Sequence, residues 1–300
     1  MIPSISIKSG LEHSASQSTP YITVPFYFDG KPLDSERHAR WGITLLAAGT
    51  MRFRWNETNE NRAKTLKQIC SELKKPVCSG NCSSDEGRCD CKLRPVPVEL
   101  IHSKIVIEAD SETDTKQLQA DGIITKNPLL VPVVTVADCV PIFLYDTKTK
   151  AFGAFHSGWK GTGIAGIGVQ KFIDRFGSKP EHMCAAIGPH IDSCCYFVDE
   201  ERAAYFSTNF GEKCVSKADG NQKFPYRLSL TEANLFVLQH AGIKKENIVV
   251  AKDCTCCTQF KNGAHVFGSF RRQAAFLPPE VDSETRSRAM TVQAAFCYMS

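Results

Sequence analysis

The sequence predicts a single α+β domain in which mixed β-sheets are flanked by helices, and three observations support this class. Apolar runs rich in Val, Ile and Phe at 131–137, 140–146 and 151–156 are typical of strands buried on both faces. Helical patterns lie between the strands without a strict βαβ repeat. No Gly/Pro-rich linker divides the 300 residues, so one domain spanning residues 1–300 is expected.

The composition indicates a soluble globular protein. Hydrophobic residues make up 42% and charged residues 23% of the chain, and the net charge of +4 is spread among interspersed acidic and basic residues. This pattern argues against nucleic-acid or membrane partners. The N-terminus lacks the pattern of a signal peptide, and fourteen cysteines without an export signal indicate reduced thiols in the cytoplasm. The sequence carries no signal for a particular oligomeric state.

The N-terminal part of the chain predicts an arm, two strands and one helix. Residues 1–20 are polar and Ser-rich, which is typical of a loosely held arm, and strands are expected at 22–28 and 41–55. A helix is expected over 57–74, where Asn61 and Arg62 near its start could point toward an anion site. The apolar face of this helix is Ala63, Leu66, Ile69, Cys70 and Leu73.

A cysteine-rich segment at about 76–97 differs from its surroundings and is interpreted as an insertion. It contains Cys78, Cys82, Cys89 and Cys91 among Ser, Gly and Pro. Four thiols so close together resemble a small zinc loop, although their spacing matches no common zinc finger. The alternative is a surface loop with incidental thiols.

The C-terminal part continues the mixed pattern. A strand-like segment at 98–109 precedes the central strands, and a helix is expected at 163–177 with Gly177 as its C-cap. Residues 183–198 predict a strand, a turn and another strand, followed by a short helix at 199–206. Ser229 and Glu232 form a capping-box pattern that opens a further helix. Closing strands and loops are expected at 247–253 and 265–272.

A thiol and an imidazole lie at the ends of the central strands. Cys139 separates the first two strands, and His156 ends the third, before a glycine-rich turn. Such a pair suggests a metal site or a nucleophile with its base. A catalytic zinc takes three protein ligands, and the third could be His102, His190, His265 or another cysteine. His102 is preferred because it lies in the strand-like segment just upstream.

Several motifs carry a resemblance to a known family. The segments ADCVP, AFHSGWKGT, AIGPHIDSCCYFV, YRLSL, CT and GSFRR occur in this order between residues 137 and 272. Together they resemble the YfiH family, also described as laccase-domain or multicopper polyphenol oxidases, purine nucleoside phosphorylases and peptidoglycan editing factors. The resemblance covers about residues 57–75 and 98–290. It implies a metal site formed by His102, Cys139 and His156.

The resemblance also implies an activity. It points to zinc-dependent phosphorolysis of adenosine, inosine, guanosine and methylthioadenosine, and to adenosine deamination, for which zinc enzymes activate water. The substrates are then a purine nucleoside and phosphate. Asp138 is a candidate to handle a proton or support a ligand histidine, or simply to cap its turn. Trp159 could stack on a base or pack in its turn. The candidate phosphate-binding residues are Asn61, Arg62, Arg271 and Arg272.

Three other functions compete with this one. Cys139 and His156 could form a metal-free amide hydrolase acting on peptidoglycan precursors, since the fold resembles that of the cytotoxic necrotizing factor deamidases. A polyphenol oxidase would need several coppers, and eight histidines without a His-x-His pair make zinc the expected metal and copper less favoured. A purely structural zinc would take a fourth ligand. The candidates for it are Cys194, Cys195, Cys254, Cys256 and Cys257.

Overall fold

The computed structural model describes residues 1–13, 19–35, 37–73, 92–220 and 223–300. The cysteines at 78, 82, 89 and 91 lie outside these ranges, so their predicted zinc loop stays a prediction. Within these ranges the helices, in chain order, are α1 (Ile7–His13), α2 (Glu60–Glu72), α3 (Ile164–Phe176), α4 (Glu200–Phe210), α5 (Leu230–His240), α6 (Phe270–Gln273) and α7 (Ser283–Arg288). Among the residues described, no helix combines the length and apolar content that a membrane span requires.

The strands of the same ranges, in chain order, are β1 (Ser4–Ile5), β2 (Tyr21–Pro25), β3 (Tyr27–Phe28), β4 (Lys31–Pro32), β5 (Ala39–Thr44), β6 (Arg94–Pro97), β7 (Val106–Glu108), β8 (Gly122–Thr125), β9 (Leu130–Val136), β10 (Val140–Asp146), β11 (Phe152–Ser157), β12 (Met183–Ile187), β13 (Phe197–Val198), β14 (Val215–Lys217), β15 (Tyr226–Leu228), β16 (Ile248–Ala251) and β17 (Gln293–Met299). Most of them form two large mixed sheets. One has seven strands in the order β1-β16-β12-β10-β11-β8-β7, and the other has five in the order β2-β5-β17-β9-β6.

The two large sheets face each other and share a core. Trp41 of β5 stacks on Phe143 of β10, with ring centroids 5.2 Å apart. Along β10, Phe143 and Tyr145 belong to this shared core, whereas Ile142 and Leu144 pack against the helices on the outer face. This alternation explains why the central runs are apolar without interruption, because both faces of their strands are buried. The predicted strands at 131–137, 140–146 and 151–156 are confirmed.

Helices cover the outer faces of both sheets, as predicted. Helix α3 packs with α5 against the seven-stranded sheet through residues that include Phe172 and Leu238. Helix α2 covers the five-stranded sheet, where Leu66 and Ile69 pack with Phe296. The predicted face of α2 is wrong at one position, since Ala63 is exposed and Thr65 is buried in its place. The C-cap prediction for α3 is confirmed by Gly177, at φ +66°.

The expectation of a loose N-terminal arm is wrong for its first thirteen residues. Strand β1 pairs in parallel with β16, and α1 follows it directly. The carboxylate of Asp253 accepts hydrogen bonds from the Ser6 hydroxyl at 3.1 Å and from the backbone N–H groups of Ile7 at 2.6 Å and Lys8 at 3.3 Å. A side chain some 250 positions away therefore caps this helix, which no local pattern could reveal.

Several predicted boundaries also change. The strand expected at 41–55 ends at Thr44, because a 3-10 turn at Leu46–Ala48 and Gly49, at φ +74°, redirect the chain. The strand-like segment 98–109 keeps only β7, and the short helix at 199–206 extends to Phe210 as α4. The segment 265–272 ends in helix α6, capped by Ser269, not in a strand.

Candidate metal centre

His156 is held at the end of β11 by a buried carboxylate. Its side chain is only 2% exposed, and its Nδ1 lies 2.8 Å from Oδ1 of Asp121, which is fully buried. Strands β11 and β8 pair so that Asp121, one residue before β8, lies beside His156, whose backbone N–H donates to the Asp121 carbonyl at 2.7 Å. With Nδ1 engaged in this way, Nε2 is the nitrogen free to bind an ion.

The same carboxylate positions His102. The backbone N–H of His102 donates to Oδ1 of Asp121 at 3.0 Å, and the N–H and hydroxyl of Ser103 both donate to Oδ2 at 2.6 Å. His102 therefore lies in a bend with φ +59°, not in the strand-like conformation that the sequence suggested. The donors that a strand would use in a ladder are taken by Asp121 instead.

Cys139 lies in the short turn that carries the chain from β9 in one large sheet to β10 in the other. The preceding residue, Asp138, has φ +80°, and its carboxylate fastens the turn. It accepts hydrogen bonds from the hydroxyls of Thr255 at 2.6 Å and Ser269 at 2.9 Å, and from the backbone N–H of Arg271 at 2.6 Å. Asp138 thus fastens its turn, and the carboxylate bonded to the candidate ligand His156 is Asp121.

His102, Cys139 and His156, called the metal trio below, converge as the sequence predicted. Their candidate ligand atoms all lie within 4.8 Å of one another, and the two imidazole rings are nearly perpendicular with centroids 4.8 Å apart. Gly158 leaves room for this approach: a Cβ atom there would lie 3.2 Å from both Cys139 Sγ and His102 Cδ2. The donor set and the spacing fit one divalent ion with three protein ligands.

The trio is also electrostatically coupled. Burial raises the pKa of the Cys139 thiol, but the charge of His156 and hydrogen bonds from His102 and His156 outweigh it and lower this pKa to about 6. Burial lowers the pKa of His156, yet Cys139 and Asp121 raise it to about 9. Burial also raises the pKa of Asp121, and hydrogen bonds from His156 and Ser103 bring it below its usual range. The lowered pKa of the thiol and the raised pKa of the imidazole together favour a thiolate–imidazolium pair near neutral pH in the metal-free protein.

Alkylation of the metal-free protein tests this pair. The thiolate is the reactive form, so we expect the iodoacetamide rate at Cys139 to rise through about pH 6 and to be level above pH 7. Burial and nearby thiols raise the pKa of the exposed Cys194 to about 12, so its rate should still be rising at pH 9. Peptide-resolved mass spectrometry from pH 5 to pH 9 measures both residues in one sample. A midpoint at Cys139 near the ordinary thiol value of about 8.5 would contradict the pair.

The metal trio opens into a cleft with cationic and aromatic walls. Arg52, Phe53 and Arg54 line it, together with Leu100, Thr135, Ala137, Ser287, Met290 and Val292. Arg52 pairs with Glu57 at 2.8 Å, and Arg54 donates to the Leu100 carbonyl at 3.2 Å. The sequence analysis did not select Arg52, Phe53 or Arg54, because the stretch that contains them was interpreted as the end of a strand.

Arg62 lies behind the aromatic wall of this cleft. Its guanidinium stacks on the Phe53 ring at 4.1 Å, and burial lowers its pKa to about 10. Its Nε and Nη2 atoms are buried and have no hydrogen-bond partner among the residues that the structure describes. Asn61 instead donates to the Ala48 carbonyl at 2.9 Å and so fixes the turn before Gly49. Of these two predicted residues, Arg62 retains free donors for an anion.

Arg271 and Arg272 point in different directions from α6. Arg272 donates to the carbonyls of Thr255 at 3.0 Å and Cys256 at 2.6 Å, so it supports the backbone of that turn. Arg271 lies over the ring of Tyr196, with its guanidinium 5.5 Å from the centroid. Of the two arginines, Arg271 is the one beside Tyr196, and there its Nη2 also donates to the Phe197 carbonyl at 3.4 Å.

Tyr196 and Arg202 form a second polar group that the sequence analysis did not select. The Tyr196 hydroxyl accepts a hydrogen bond from Arg202 at 3.4 Å, and the Arg202 guanidinium covers the Trp159 ring at 4.3 Å. Burial raises the pKa of the Tyr196 hydroxyl, and the charge of Cys139 adds to this effect, so Tyr196 lies near the metal trio. The sequence signal that could have identified Tyr196 is its position directly after the two cysteines of the AIGPHIDSCCYFV motif. With Arg202 over its ring, Trp159 is not free for stacking on that face.

The other candidate ligands lie apart from the metal trio. His190 is buried and fully bonded, with Nδ1 at 2.8 Å from the Gly188 carbonyl and Nε2 at 2.9 Å from the Thr231 hydroxyl. His265 contacts Gln259 at 3.1 Å. The C-terminal cysteines do not complete the trio, because Cys194, Cys195, Cys254 and Cys257 form a group of their own.

Comparison with known proteins places this fold and site in a family. A family model described as multi-copper polyphenol oxidoreductase laccase matches residues 87–276. The chain belongs to this family. The solved structure of the hypothetical protein YfiH from Bacillus licheniformis superposes on this chain with a TM-score of 0.68 at 25% sequence identity. The superposition covers 89% of this chain and 98% of that protein. YlmD from Geobacillus stearothermophilus gives a TM-score of 0.67 at 21% identity, covering 92% and 99%. The predicted single domain with mixed sheets and flanking helices is thereby confirmed.

Curated relatives within this laccase family carry a different functional name. The purine nucleoside phosphorylase YlmD of Bacillus subtilis is 35% identical over 152 residues, which are 48% of this chain and 52% of that protein. The purine nucleoside phosphorylase LACC1 of Mus musculus is 34% identical over 152 residues, which are 49% of this chain and 34% of that protein. The chain thus spans about half, or less, of the length of these relatives.

Proposed function

We propose that this protein is a zinc-dependent purine nucleoside phosphorylase that also cleaves methylthioadenosine and deaminates adenosine. The convergence of His102, Cys139 and His156 on one cleft with cationic walls supports the proposal most directly. The names of the curated relatives support the reaction class. We expect the protein to act on small molecules in the cytoplasm, where its thiols stay reduced.

Zinc is proposed in preference to copper because of the donor set. Two imidazoles and one thiolate are zinc ligands in catalytic sites that keep a fourth position open. When bound there, the ion would supply Lewis acidity to a reactant in the cleft. Chemistry that uses several coppers requires many imidazoles, and the eight histidines of this chain include no His-x-His pair. The word "multi-copper" in the family description therefore does not carry over to this proposal.

The residues of the chain prepare the site for this chemistry. Asp121 holds the Nδ1 proton of His156 and so keeps the Nε2 lone pair directed toward the site. Through the backbone of His102 and Ser103, the same carboxylate fixes the second imidazole. The Tyr196 hydroxyl, which accepts a hydrogen bond from Arg202, is a further polar group near the trio.

Phosphorolysis further requires a phosphate held next to the ribose, and we assign this role first to Arg62. A buried guanidinium with two unpartnered nitrogens favours an anionic partner, since buried donors are costly to leave unpaired. Arg62 lies next to the cleft, because Phe53 lines the cleft and the Arg62 guanidinium stacks on the Phe53 ring. Arg271 is the second candidate, and Asn61 and Arg272 position the turns beside the site.

A nucleoside panel tests the proposal. Zinc-loaded protein is incubated with adenosine, inosine, guanosine or methylthioadenosine, with and without phosphate, and the bases and sugar phosphates are separated by chromatography. We expect hypoxanthine from inosine only when phosphate is present, and inosine from adenosine under both conditions. Base release that is equal without phosphate, or no turnover of any nucleoside, would refute the assignment.

The Arg62→Gln variant sharpens the same test. Losing one charge-assisted contact to phosphate costs on the order of 1.5–3 kcal/mol, so we expect the KM for phosphate to rise about 10- to 100-fold. Deamination of adenosine uses no phosphate and should stay near the wild-type rate. Arg175→Gln serves as the matched control and should change neither reaction, because the exposed Arg175 of α3 pairs with Glu108 of β7 outside the cleft.

A cysteine amide hydrolase is the second candidate, and Asp121 is the observation that favours it. Asp121, His156 and Cys139 form the series of orienting carboxylate, base and thiolate that such enzymes use, and the lowered pKa of Cys139 fits a nucleophile. We propose peptidoglycan-precursor amides as the substrate class in that case. Activity on an amide that survives chelation and is lost on alkylation of Cys139 would select this candidate.

A further inference from the structure

A second group of sulfur atoms lies outside the metal trio. Cys194 and Cys195 occupy the turn that precedes β13, and Cys254 and Cys257 occupy the turn that follows β16. The four Sγ atoms all lie within 4.8 Å of one another. They are called the four-cysteine group below. Cys254 and Cys257 have the C-x-x-C spacing that is common among zinc ligands, and the adjacent pair completes a set of four.

The distances within the group match one ion. Four sulfurs about 2.3 Å from a central zinc form a tetrahedron with edges of about 3.8 Å. Cys194 Sγ lies 3.8 Å from Cys195 Sγ and 3.6 Å from Cys257 Sγ. Both distances are far longer than the ~2.05 Å of a disulfide bond, and all four cysteines are free thiols.

The backbone directs hydrogen-bond donors at one sulfur of the group, although burial has the larger effect on the Cys254 thiol and raises its pKa in the metal-free protein. Cys254 Sγ accepts a hydrogen bond from the backbone N–H of Asp192 at 3.4 Å and from the N–H groups of Cys256 and Cys257. Hydrogen bonds donated to sulfur stabilise its anionic form, which is the form that binds metal ions.

Two arginines lie beside the four-cysteine group, and each donates to a backbone carbonyl in one of the two cysteine-bearing turns. Arg227 donates to the Cys194 carbonyl at 3.2 Å, and Arg272 donates to the Cys256 carbonyl at 2.6 Å. A divalent ion bound by four thiolates carries a net charge of −2, and nearby cations offset it. Arg272, which the sequence analysis chose as a phosphate ligand, therefore bonds to the turn that contains Cys254 and Cys257.

We propose that Cys194, Cys195, Cys254 and Cys257 bind a second divalent ion, zinc by ligand type, in a closed structural site. The ion joins the 190–196 and 254–258 segments, which are otherwise linked here by the bridge between His190 and Cys254. Thr255, between two of the ligands, donates to Asp138 at 2.6 Å, and the Ile191 N–H donates to the Asp138 carbonyl at 3.0 Å. The second ion therefore stabilises the turn that presents Cys139 to the metal trio.

Metal analysis of full-length variants tests the proposal. The background is a protein with Cys139→Ala and with the cysteines at 78, 82, 89 and 91 replaced by Ser, which removes every other proposed ligand set. We expect one zinc per chain in this background and none after adding Cys194→Ser and Cys257→Ser. Cys256→Ser is the matched control, because Cys256 lies in the same turn but outside the four-cysteine group, and its variant should keep the zinc. Equal zinc content with and without Cys194 and Cys257 would overturn the proposal.

Cobalt provides an independent readout of the ligand type. Titration of the metal-free background with Co²⁺ should saturate at one equivalent and give the intense visible and sulfur-to-metal absorption of a tetrathiolate site. A spectrum of an octahedral, oxygen-bound ion would overturn the assignment. Neither readout depends on nucleoside turnover, so this test stands apart from the proposed activity.

Wild-type protein offers a third measurement that needs no variant to fold. Cys194 and Cys257 are exposed, so a maleimide reaches them when no ion is present. We expect added Zn²⁺ to slow their labelling at least about tenfold in peptide-resolved mass spectrometry, because bound thiolates are poorly available. Labelling at an unchanged rate in saturating Zn²⁺ would overturn the proposal, as would a Cys194–Cys257 disulfide in protein purified under reducing conditions.

Discussion

Cys139→Ala is expected to release the catalytic ion and to lower kcat/KM for phosphorolysis by about 10³-fold or more, which corresponds to roughly 4 kcal/mol of transition-state stabilisation. The thiolate is the one anionic ligand of the metal trio, and without it two imidazoles remain to hold a divalent cation in a partly buried site. Two neutral ligands bind zinc far more weakly than three that include a thiolate. Metal content and phosphorolysis should therefore fall together.

The control variants for this experiment separate ligand from nucleophile. Cys70→Ala removes a buried thiol from the inner face of α2 that belongs to neither the metal trio nor the four-cysteine group, and it should keep both metal and activity. Cys139→Asp replaces the thiolate with another zinc ligand, so we expect it to retain part of the metal and part of the activity. Equal and complete inactivation of the Ala and Asp variants, with the metal unchanged in both, would instead support the amide hydrolase.

Sequence patterns singled out Cys139 and His156 because both adjoin strongly apolar strands. Strands β9, β10 and β11 are buried on both faces, so their composition alone marks them, and Cys139 and His156 are the polar residues at their ends. His102, by contrast, was preferred for a strand-like conformation that the structure does not show, and the family resemblance supported the choice. Its bend has no local signature, since the conformation is imposed by Asp121, nineteen residues further along the chain.

The arrangement of the strands in the two large sheets could not be predicted from the sequence, because it depends on pairing between distant segments. Strands β9 and β10 are neighbours in the chain, yet they belong to different sheets. The N-terminal β1 gains its order from β16, about 246 positions away, and β17 lies at the centre of the five-stranded sheet between β5 and β9. A short apolar run at a chain end has no period that shows where it pairs.

Asp121 was missed for the same reason, although it is the most connected side chain of the site. Its sequence context, an aspartate before GIIT, predicts only the start of a strand. Its role follows from the register of β8 on β11, which brings it beside His156, and from the return of the chain at His102. The sequence analysis chose Asp138 because it adjoins Cys139, whereas in the fold Asp138 faces the 255–271 segments.

Replacing this carboxylate by the amide in Asp121→Asn is expected to disturb the site without changing its size. The carboxylate accepts on both oxygens: Oδ1 from His156 and the His102 N–H, and Oδ2 from Ser103. If the amide is turned one way, its NH₂ group faces the Ser103 N–H, so two donors oppose each other and the hydrogen bond that fixes the 102–103 backbone is lost. Turned the other way, it directs NH₂ at His156, forces the proton onto Nε2 and removes the lone pair that binds the ion.

Either orientation costs metal affinity, and the size of the loss distinguishes the two functions. Loss of such a supporting carboxylate typically weakens metal binding about 10- to 100-fold, so we expect the zinc affinity to fall by that factor and excess Zn²⁺ to restore much of the phosphorolysis. In a metal-free hydrolase the wrong tautomer would instead lower kcat by on the order of 10⁴-fold, with no rescue by zinc. Zinc titration with a competing chelator, followed by rate measurements at saturating Zn²⁺, separates these outcomes.

Asp146→Asn is the matched control, because Asp146 is also fully buried and belongs to the same sheet. Its Oδ1 accepts from the backbone N–H of Lys148 at 2.7 Å and of Thr149 at 3.2 Å, whereas its Oδ2 has no partner among the described residues, so an amide fits there with its oxygen on the turn. We expect this variant to bind zinc as the wild type does. If Asp121→Asn matched it in both zinc affinity and kcat/KM, the carboxylate would have no part in holding the metal trio, and the orientation assigned to His156 would be wrong.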